Sequence, residues 1–285
     1  MKRVVAIQQE LTQVSNIKKM TSVFEAIASI HIAEIKDQVV SSTAFFHQLW
    51  NIYSQIRVGK EDFTRHRKPS ITDRTALVAV TSDGGLIGDI DDRIIESMLK
   101  HQDLSKADIY VVGAHGISLL SRKGIKPIQT FQLPEADENI RVDDIAAVMN
   151  RYQRATVYYQ TYISLLHQEV ARIDLFSAVA ALGQQSTGKQ EVISSEDYIF
   201  EPSLNEIVEY MESVMLEIAL GQIILESKLA QYASRFNAMT AAKSKADDME
   251  KEMLLSMHRS KRSQGDERIR EVLGGMKMLK RGQRG

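Results

Sequence analysis

The two segments of this sequence that could bind a nucleotide both contain closely spaced glycines. Residues 183–189 read G-x-x-x-x-G-K, the pattern of a phosphate-binding loop, but Gln190 stands where that loop needs a hydroxyl group to hold magnesium. Residues 82–89 follow a predicted strand and open a predicted helix, yet their glycines are spaced G-G-x-x-G, and Asp83 and Asp89 would repel a pyrophosphate. The first segment is predicted to be a flexible polar hairpin loop. The second is predicted to be a tight turn or a contact surface.

Side chains that commonly act in catalysis or bind metals are either missing or unsuitably spaced. The chain has no cysteine, which excludes disulfides, thiolate zinc sites, iron–sulfur clusters and cysteine nucleophiles. Its seven histidines show no ligand spacing, and no serine–histidine–acid arrangement is visible. We interpret His31 and His115 as solvated or structural side chains. From these residue types the sequence predicts no cysteine or serine–histidine–acid catalytic arrangement, no metal site and no cofactor.

A basic cluster near the C-terminus is the clearest charged feature of a nearly neutral protein. The 285 residues carry a net charge of −1, so no overall field attracts nucleic acid or an anionic membrane. Residues 258–285 hold nine basic residues against three acidic ones. We favour the interpretation that this cluster contacts acidic protein loops. The main alternative is a tail that only aids solubility. Nucleic-acid binding is disfavoured because no aromatic residues are interleaved with the basic ones.

Two long helices are predicted at the ends of the chain from the placement of proline and glycine. The four prolines all lie in the middle of the chain, and the first 58 residues also lack glycine. Because both residue types interrupt helices, their absence favours one helix over about residues 4–57 and another over about 204–273. Gly274 and Gly275 are the predicted stop. The second helix would be about 105 Å long.

The predicted C-terminal helix carries residues at alternating three- and four-residue spacing, the pattern of a coiled coil. Ten positions follow it, and only one of them is polar. They are Val208, Met211, Met215, Ile218, Gln222, Leu225, Leu229, Tyr232, Phe236 and Met239. The seam is predicted to fade beyond Met239, where Lys243 and Glu250 fall on seam positions. Ser203 or Asn205 is the predicted N-cap.

The predicted N-terminal helix has a less regular seam. Its first run comprises Ile7, Leu11, Val14, Ile17, Met20, Phe24 and Ile27. A second run comprises Phe24, Ala28, Ile35, Phe45, Leu49, Ile52 and Ile56. Each helix offers an apolar stripe on a charged surface, so we expect the two to pair antiparallel. In the expected register Ile56 lies beside Ile207 and Val4 lies near Arg259.

The central part of the chain alternates between strand and helix patterns, which favours a parallel α/β core. The predicted parallel strands cover residues 75–81, 108–112 and 128–133. The predicted helices cover 90–100 and 142–154. Two antiparallel edge strands are predicted at 157–166 and 169–178. The predicted fold class is α/β, with a long antiparallel two-helix coiled coil from the N- and C-terminal helices plus a central Rossmann-like domain. The predicted domains are a helix at 1–58, a linker at 59–74, the α/β domain at 75–202 and a helix at 203–285.

Five short motifs follow one another along the chain. They are V-S-N-I-K-K-M-T at residues 14–21, V-T-S-D-G-G-L-I-G at 80–88, S-R-K-G at 121–124, I-F-E-P-S at 199–203 and E-V-L-G-G at 271–275. They resemble V-K-N-T-x-K-I-T, T-S-D-R-G-L-C-G, G-R-K-G, Y-I-F-E-P-S and E-I-V-G-G of the gamma-subunit family of F-type ATP synthases, the central rotor shaft. The resemblance covers nearly the whole chain, because that family also has two long terminal helices around an α/β domain.

Some positions depart from the family pattern and indicate a divergent member. Gly84 and Ile87 stand where the family has arginine and cysteine. In the C-terminal segment that touches the catalytic head in the family, only the basic charge at Lys261 is retained.

The resemblance implies a non-catalytic function as the gamma subunit of an F-type proton-translocating ATP synthase. Such a subunit couples ion flow through a membrane ring to ATP synthesis or hydrolysis on an α3β3 head. The implied partners are the alpha and beta subunits, the epsilon subunit and the c-ring, with no nucleic acid and no small-molecule ligand. With no segment near the roughly 18 apolar residues that span a bilayer, the implied location is peripheral, on the cytoplasmic face of a bacterial cell membrane or an organelle inner membrane.

We expect two sets of partner-binding residues, of which the resemblance assigns the foot set. Head contacts are Lys18, Lys19, Arg259, Lys261, Arg262, Arg268 and Arg270. Foot contacts with the ring or the epsilon subunit are Gly84, Gly85, Leu86, Gly88, Arg122, Lys123 and Gly124. An apolar tip is expected at Ile269, Val272, Leu273, Met276 and Leu279.

Two other functions remain open at this point. One is a gamma-like paralogue that acts as a coiled-coil adaptor in a related rotary or scaffold complex. The other is a nucleotide-dependent enzyme that uses the α/β domain, which would bind ATP or NAD without any partner.

Overall fold

The computed structural model describes residues 4–56, 72–133, 142–184, 201 and 203–282. Its elements in chain order are α1 (Val4–Ile56), β1 (Thr72–Val80), α2 (Ile90–Leu99), a 3₁₀ turn (Leu104–Lys106), β2 (Ala107–Val112), α3 (Ala114–Arg122), β3 (Gln129–Phe131), α4 (Asp143–Met149), β4 (Tyr152–Tyr162), β5 (Gln168–Asp174), α5 (Leu175–Gln184) and α6 (Leu204–Gly282). The chain divides into two compact units. The terminal unit comprises Met1–Ile27 and Asn237–Gly285, and the central unit comprises Ala28–Phe236.

The central unit is built on a five-stranded sheet with the order β3-β2-β1-β4-β5. β1 runs parallel to β2 and β4, and β2 runs parallel to β3, as expected for strands that are connected through helices. β5 lies antiparallel to β4 because a tight turn joins them, in which the Ser164 N–H donates to the His167 carbonyl oxygen at 3.0 Å. The predicted parallel core with an antiparallel edge is confirmed.

Side chains alternate across the sheet and fill a separate core on each face. In β1, Ala76, Val78 and Val80 face a core that α1, α4, α5 and α6 complete. Leu77 and Ala79 face the opposite core, which α2 and α3 cover. All five side chains are fully buried. Burial on both faces explains why this strand reads as an unbroken apolar run.

In the central unit, α1 and α6 pack against each other as well as on the sheet. Ile35 of α1 shares a small core with Leu225 and Leu229 of α6. Farther along α1, the Tyr53 hydroxyl donates a hydrogen bond to Glu212 Oε1 at 2.7 Å. Because later residues of α1 meet earlier residues of α6, the helices run antiparallel, as predicted.

In the terminal unit, the two helices pair through positions that are spaced seven residues apart. Ile7, Val14 and Thr21 are buried on α1, and Met239 and Ala246 are buried on α6. A seven-residue repeat of buried positions is typical of a coiled coil. The predicted coiled coil is therefore confirmed for this unit.

Charged residues bridge the two helices beside this seam. Lys18 Nζ lies 2.5 Å from Asp247 Oδ1 and 3.0 Å from Glu250 Oε2. Lys243 Nζ lies 2.8 Å from Glu25 Oε2. The contacts connect later residues of α1 to earlier residues of α6, so this pair is also antiparallel. The predicted register places Lys18 opposite position 245. The observed partners of Lys18, Asp247 and Glu250, lie within about one helical turn of that position.

The apolar seam fades beyond Met239, as predicted, but the pairing of the two helices continues. Lys243 and Glu250 do occupy seam positions, but they form ion pairs with α1 and are only partly exposed. Burial continues farther along α6, where Ser260 is 7% exposed. A pattern search for apolar residues misses such positions because the stabilising contact is electrostatic.

The seam predicted on α1 is right at Ala28 and Ile35, which are fully buried, but wrong at five other apolar positions beyond Val14. Those five side chains are 43–59% exposed. They are Ile17, Met20, Ile27, Phe45 and Ile52. The buried positions instead follow seven-residue steps from Ile7, which bring polar Thr21 onto the seam. Both stripes have three- and four-residue spacing, so residue type alone could not choose between them.

The two ends of α6 test the predicted N-cap and the predicted stop of this helix. The Ser203 hydroxyl accepts a hydrogen bond from the Glu206 N–H at 3.3 Å, which confirms Ser203 as a cap. At the other end, the helix continues past Gly274 and Gly275 to Gly282. Each helical glycine costs only about 1 kcal/mol. No proline follows the pair to force a stop.

Three segments of the central unit differ from the sequence prediction. Residues 142–154 form the short α4 and the start of β4 rather than one helix, and α3 was not predicted. Residues 169–178 form β5 only as far as Asp174, whose side chain accepts the Ser177 N–H at 3.0 Å and so begins α5. The G-x-x-x-x-G-K motif starts in the last turn of that helix, and its residues 185–189 lie outside the described residues.

Candidate functional site

The loop between β1 and α2 lies at the carboxyl ends of the parallel strands, where α/β proteins commonly place their sites. A buried carboxylate, Asp91, holds its base. Asp91 Oδ2 accepts hydrogen bonds from the backbone N–H and the hydroxyl of Ser82, at 3.1 and 2.7 Å, and lies 2.8 Å from His115 Nδ1. Asp91 Oδ1 accepts a hydrogen bond from Gln160 Nε2 at 2.8 Å. One side chain thus connects the loop, α2, α3 and β4, and His115 has a structural contact, as interpreted from the sequence.

The N-terminus of α3, beside this loop, already uses its backbone donors. Its first three N–H groups donate to Asp83 Oδ1, the Ser82 carbonyl oxygen and Thr81 Oγ1, at 2.8, 2.9 and 3.0 Å. In nucleotide-binding α/β proteins, donors of this kind hold the pyrophosphate. The first turn of α2 carries Asp91 and Asp92, whose negative charge opposes a phosphate. The geometry therefore supports a tight turn rather than a nucleotide site.

The base of the loop is closely packed, whereas its tip is open. A Cβ on Gly113, whose φ is +99°, would lie 2.2 Å from the Thr81 carbonyl oxygen, so only glycine fits there. At the tip, Gly84 and Gly85 are exposed, and Leu86 is 56% exposed with a φ of +69°. This backbone conformation is unfavourable for a residue other than glycine. An exposed apolar residue on a rigid base suits a contact surface.

The second group of predicted foot contacts, Arg122, Lys123 and Gly124, lies elsewhere on the sheet. These exposed residues end α3, which starts at the carboxyl edge and runs back along the sheet. The chain then brings the Ile128 N–H to the Ile109 carbonyl oxygen, near the start of β2, at 2.8 Å. The structure therefore does not bring the two groups of predicted foot residues together.

Among the predicted head contacts in the terminal unit, Lys18 forms ion pairs within the chain, whereas the others are exposed on the surface. Lys18 donates to Asp247 and Glu250, and these hydrogen bonds raise the pKa of Lys18 above its ordinary value. Its ammonium group therefore stabilises the helix pair. The remaining residues are exposed on the helix surfaces, available to a partner. They are Lys19, Arg259, Lys261, Arg262, Arg268 and Arg270.

Exposed apolar side chains accompany this basic surface. On α6, Ile269, Val272, Leu273 and Met276 are 54–59% exposed, as predicted, while the Leu279 side chain lies outside the described residues. On α1 an exposed stripe of comparable extent was missed. It comprises Ile17, Met20, Val23 and Ile27. Exposed apolar stripes mark interaction surfaces. The spacing of Ile17, Met20 and Ile27 is visible in the sequence, where it predicts that these three belong to the buried seam, and Val23 is not part of that prediction.

The described part of the chain offers no obvious metal site. None of its histidine, aspartate and glutamate side chains form a group of three or more that could hold an ion. Within the same residues, no helix combines the length and apolar character needed to cross a membrane.

Comparison with known proteins matches nearly the whole chain. The family model described as ATP synthase matches residues 3–279. The chain is 24% identical over 295 residues to the ATP synthase gamma chain of Rhodopirellula baltica, covering 96% of this chain and 98% of that one. It is 22% identical over 281 residues to the ATP synthase gamma chain of Malacoplasma penetrans, covering 95% and 97%.

Solved structures share the fold. A chain in the cryo-EM structure of the Euglena gracilis mitochondrial ATP synthase, OSCP/F1/c-ring in rotational state 3, aligns with a TM-score of 0.61 at 15% identity, over 98% of this chain and 96% of that one. A chain of the rotor of the same enzyme in rotational state 1 aligns with a TM-score of 0.57 at 15% identity, over 90% and 98%.

Proposed function

We propose the central-stalk function for this chain, which belongs to the ATP synthase gamma family. The observation that carries it is the family match over residues 3–279. The chain is a non-catalytic subunit, the central stalk of an F-type ATP synthase, and the catalytic sites lie on its partner subunits. Its partners are the alpha and beta subunits of the hexameric head and the membrane c-ring. We add the epsilon subunit as a further proposed partner.

Rotation needs helices that resist twisting, and the helix pair has suitable contacts. In the terminal unit, the buried seven-residue repeat and the ion pairs of Lys18 and Glu25 connect α1 to α6. In the central unit, Ile35 and Tyr53 of α1 make further contacts with α6. Interhelical contacts of this kind transmit torque between the two helices, so that neither helix twists by itself.

The exposed basic residues of α6 are our proposed contacts with acidic loops of the head. Arg259, Lys261, Arg262, Arg268 and Arg270 supply positive charge in a segment where a rotating surface needs attraction without tight, long-lived bonds. Lys19 is a further proposed head contact. Lys18 contributes in this proposal by holding α1 to α6, because its ammonium group is already paired.

The foot contacts are proposed to be two separate surfaces. One is the tip of the β1–α2 loop, residues 84–88, and the other is the turn at residues 122–124. Because α3 separates them along the sheet, we propose that they meet different parts of the ring and the epsilon subunit.

The protein is part of the membrane-associated F1 complex. We propose the cytoplasmic face of a bacterial cell membrane as its location, with an organelle inner membrane as the alternative. The gamma chains of two bacteria among its relatives support the first assignment.

The test is purification of the tagged full-length chain from its native membranes, followed by mass spectrometry. We expect alpha, beta, epsilon and ring subunits to co-purify, and ATP hydrolysis to drive ion pumping in the purified complex. Stable association without alpha and beta subunits would instead support a coiled-coil adaptor. Micromolar binding of ATP or NAD by the isolated chain in calorimetry would support a nucleotide-dependent enzyme, against which the engaged α3 donors already argue.

A further inference from the structure

A groove of about 340 Å³ lies in the central unit between α1, α6 and the start of α4. Its lining includes small residues of both helices, Ser41 and Ser42 of α1 and Gly221 of α6. No atom lies within 4 Å of the position that a Cβ on Gly221 would occupy. The groove is therefore large enough for a long side chain from another molecule.

The walls of the groove combine apolar surface with negative charge. Phe45 is 56% exposed, and partly buried Ile218 lies on the opposite helix. Glu217 and Asp143 supply the charge. Partial burial and the neighbouring charge of Asp143 raise the pKa of Glu217 above its ordinary value. Among the described residues, neither carboxylate has a cationic partner.

We propose that this groove docks one basic side chain, a lysine or an arginine, from another subunit of the complex. The aliphatic stem lies along Phe45 and Ile218, and the charged end lies between Glu217 and Asp143. Long basic side chains commonly combine an apolar stem contact with a charged contact in this way, and a cation is also attracted to the face of an aromatic ring. The identity of the partner as a subunit of the complex rests on the proposed function.

Charge decides between this occupant and an apolar one. An apolar side chain would exclude water from two neighbouring carboxylates and leave them without a compensating cation, which is unfavourable. A basic side chain relieves the repulsion between Glu217 and Asp143 and fills the apolar part of the groove as well.

Photo-cross-linking in the assembled complex tests the contact. With p-benzoylphenylalanine in place of Phe45, we expect irradiation to link this chain to another subunit within a few residues of a lysine or arginine. Carbodiimide, which joins carboxylates to amines directly, should link Glu217 or Asp143 to the same segment if the residue is lysine. A link within this chain, or to a segment without a basic residue, would overturn the proposal.

Charge reversal tests the electrostatic part. We expect the paired change Glu217→Lys and Asp143→Lys to lower the cross-linking yield about tenfold, and a lysine- or arginine-to-glutamate change in the partner to restore it. Glu206→Lys, an exposed change on the same helix, is the control and should leave the yield unchanged. An unchanged cross-linking yield in the paired variant would show that the two carboxylates hold no partner cation and would overturn the proposal.

The two proposals fail in different ways. A complex that assembles and pumps normally, but shows no cross-link from position 45 to another subunit, overturns the groove proposal and leaves the central-stalk function intact. Absence of the alpha and beta subunits from the unmodified preparation counts against the proposed function itself.

Discussion

At the residue scale, a single buried carboxylate organises the carboxyl edge of the sheet. Asp91 is fully buried and accepts hydrogen bonds from both donors of Ser82 and from Gln160, beside its contact with His115. The sequence interpretation singled out the neighbouring glycines and aspartates but not this residue. On a helix with several acidic residues, nothing in residue type distinguishes the one that turns inward.

Replacement of Asp91 tests this role. We expect Asp91→Ala to lower the free energy of unfolding of the central unit by about 3 kcal/mol, because three donors and an imidazole lose their buried partner. Asp89→Ala is the matched control, since Asp89 is exposed and makes no side-chain capping hydrogen bond, and it should cost about 0.5 kcal/mol or less. Urea unfolding followed by the fluorescence of Trp50, the sole tryptophan, measures both. Equal losses in the two variants would contradict the assignment.

At the element scale, the two apolar stripes of α1 have different functions in our interpretation. Val14 is 6% exposed on the buried stripe, while Met20 is 59% exposed on the outer one. We expect Val14→Ala to destabilise the helix pair by about 1–2 kcal/mol through the cavity it leaves, and Met20→Ala to cost less than about 0.5 kcal/mol. Thermal unfolding followed by circular dichroism measures the difference. A larger loss of stability for Met20→Ala than for Val14→Ala would contradict this assignment and support the seam predicted from the sequence.

The ion pair of Glu25 should make the helix pair sensitive to acid. Hydrogen bonds from Lys243 and Thr240 hold the pKa of Glu25 below its usual value of 4.5. The unfolded chain therefore takes up the proton first as the pH falls. The stabilisation is fully present above pH 4.5 and is lost as the pH falls through the lower folded pKa.

Substitution isolates this contribution. We expect Glu25→Gln to lower the melting temperature at pH 7, and this difference to shrink as the pH falls through the lowered folded pKa of Glu25, because the carboxylate of the parent protein is then neutralised as well. Asp37→Asn, on the exposed surface of the same helix, controls for the loss of one negative charge. A melting-temperature difference that stays constant from pH 7 to pH 3 would show that the pair contributes nothing.

At the scale of the whole molecule, function depends on surfaces that this chain offers to others. Lys261 and Arg262 are exposed on α6, and we propose that they attract acidic loops of the head. We expect their joint change to glutamate to lower ion pumping per ATP hydrolysed by about twofold or more, because attraction becomes repulsion. Lys106→Glu, an exposed change in the central unit, is the control. Parallel assays of hydrolysis and pumping in reconstituted vesicles measure the coupling, and unchanged coupling would argue against a head contact.

The sequence alone determined the elements whose physics is local. The absence of proline and glycine from both ends predicted α1 and α6, because these residue types act on the helix that contains them. The apolar run at β1 and the alternation of strands and helices likewise predicted the parallel sheet. The nucleotide site was disfavoured by residue type alone, through Gln190 and through Asp83 and Asp89.

Tertiary structure decided what depends on partners distant in the chain. It placed Thr21 on the buried seam and Met20 outside, because the facing helix supplies ion pairs that no apolar pattern records. It separated the predicted foot residues at 84–88 from those at 122–124, because strand order sets which loops meet. It also formed the groove beside Gly221, because a gap between helices depends on the small residues of both. Spacing along one helix shows which residues share a face, but only packing shows what that face meets.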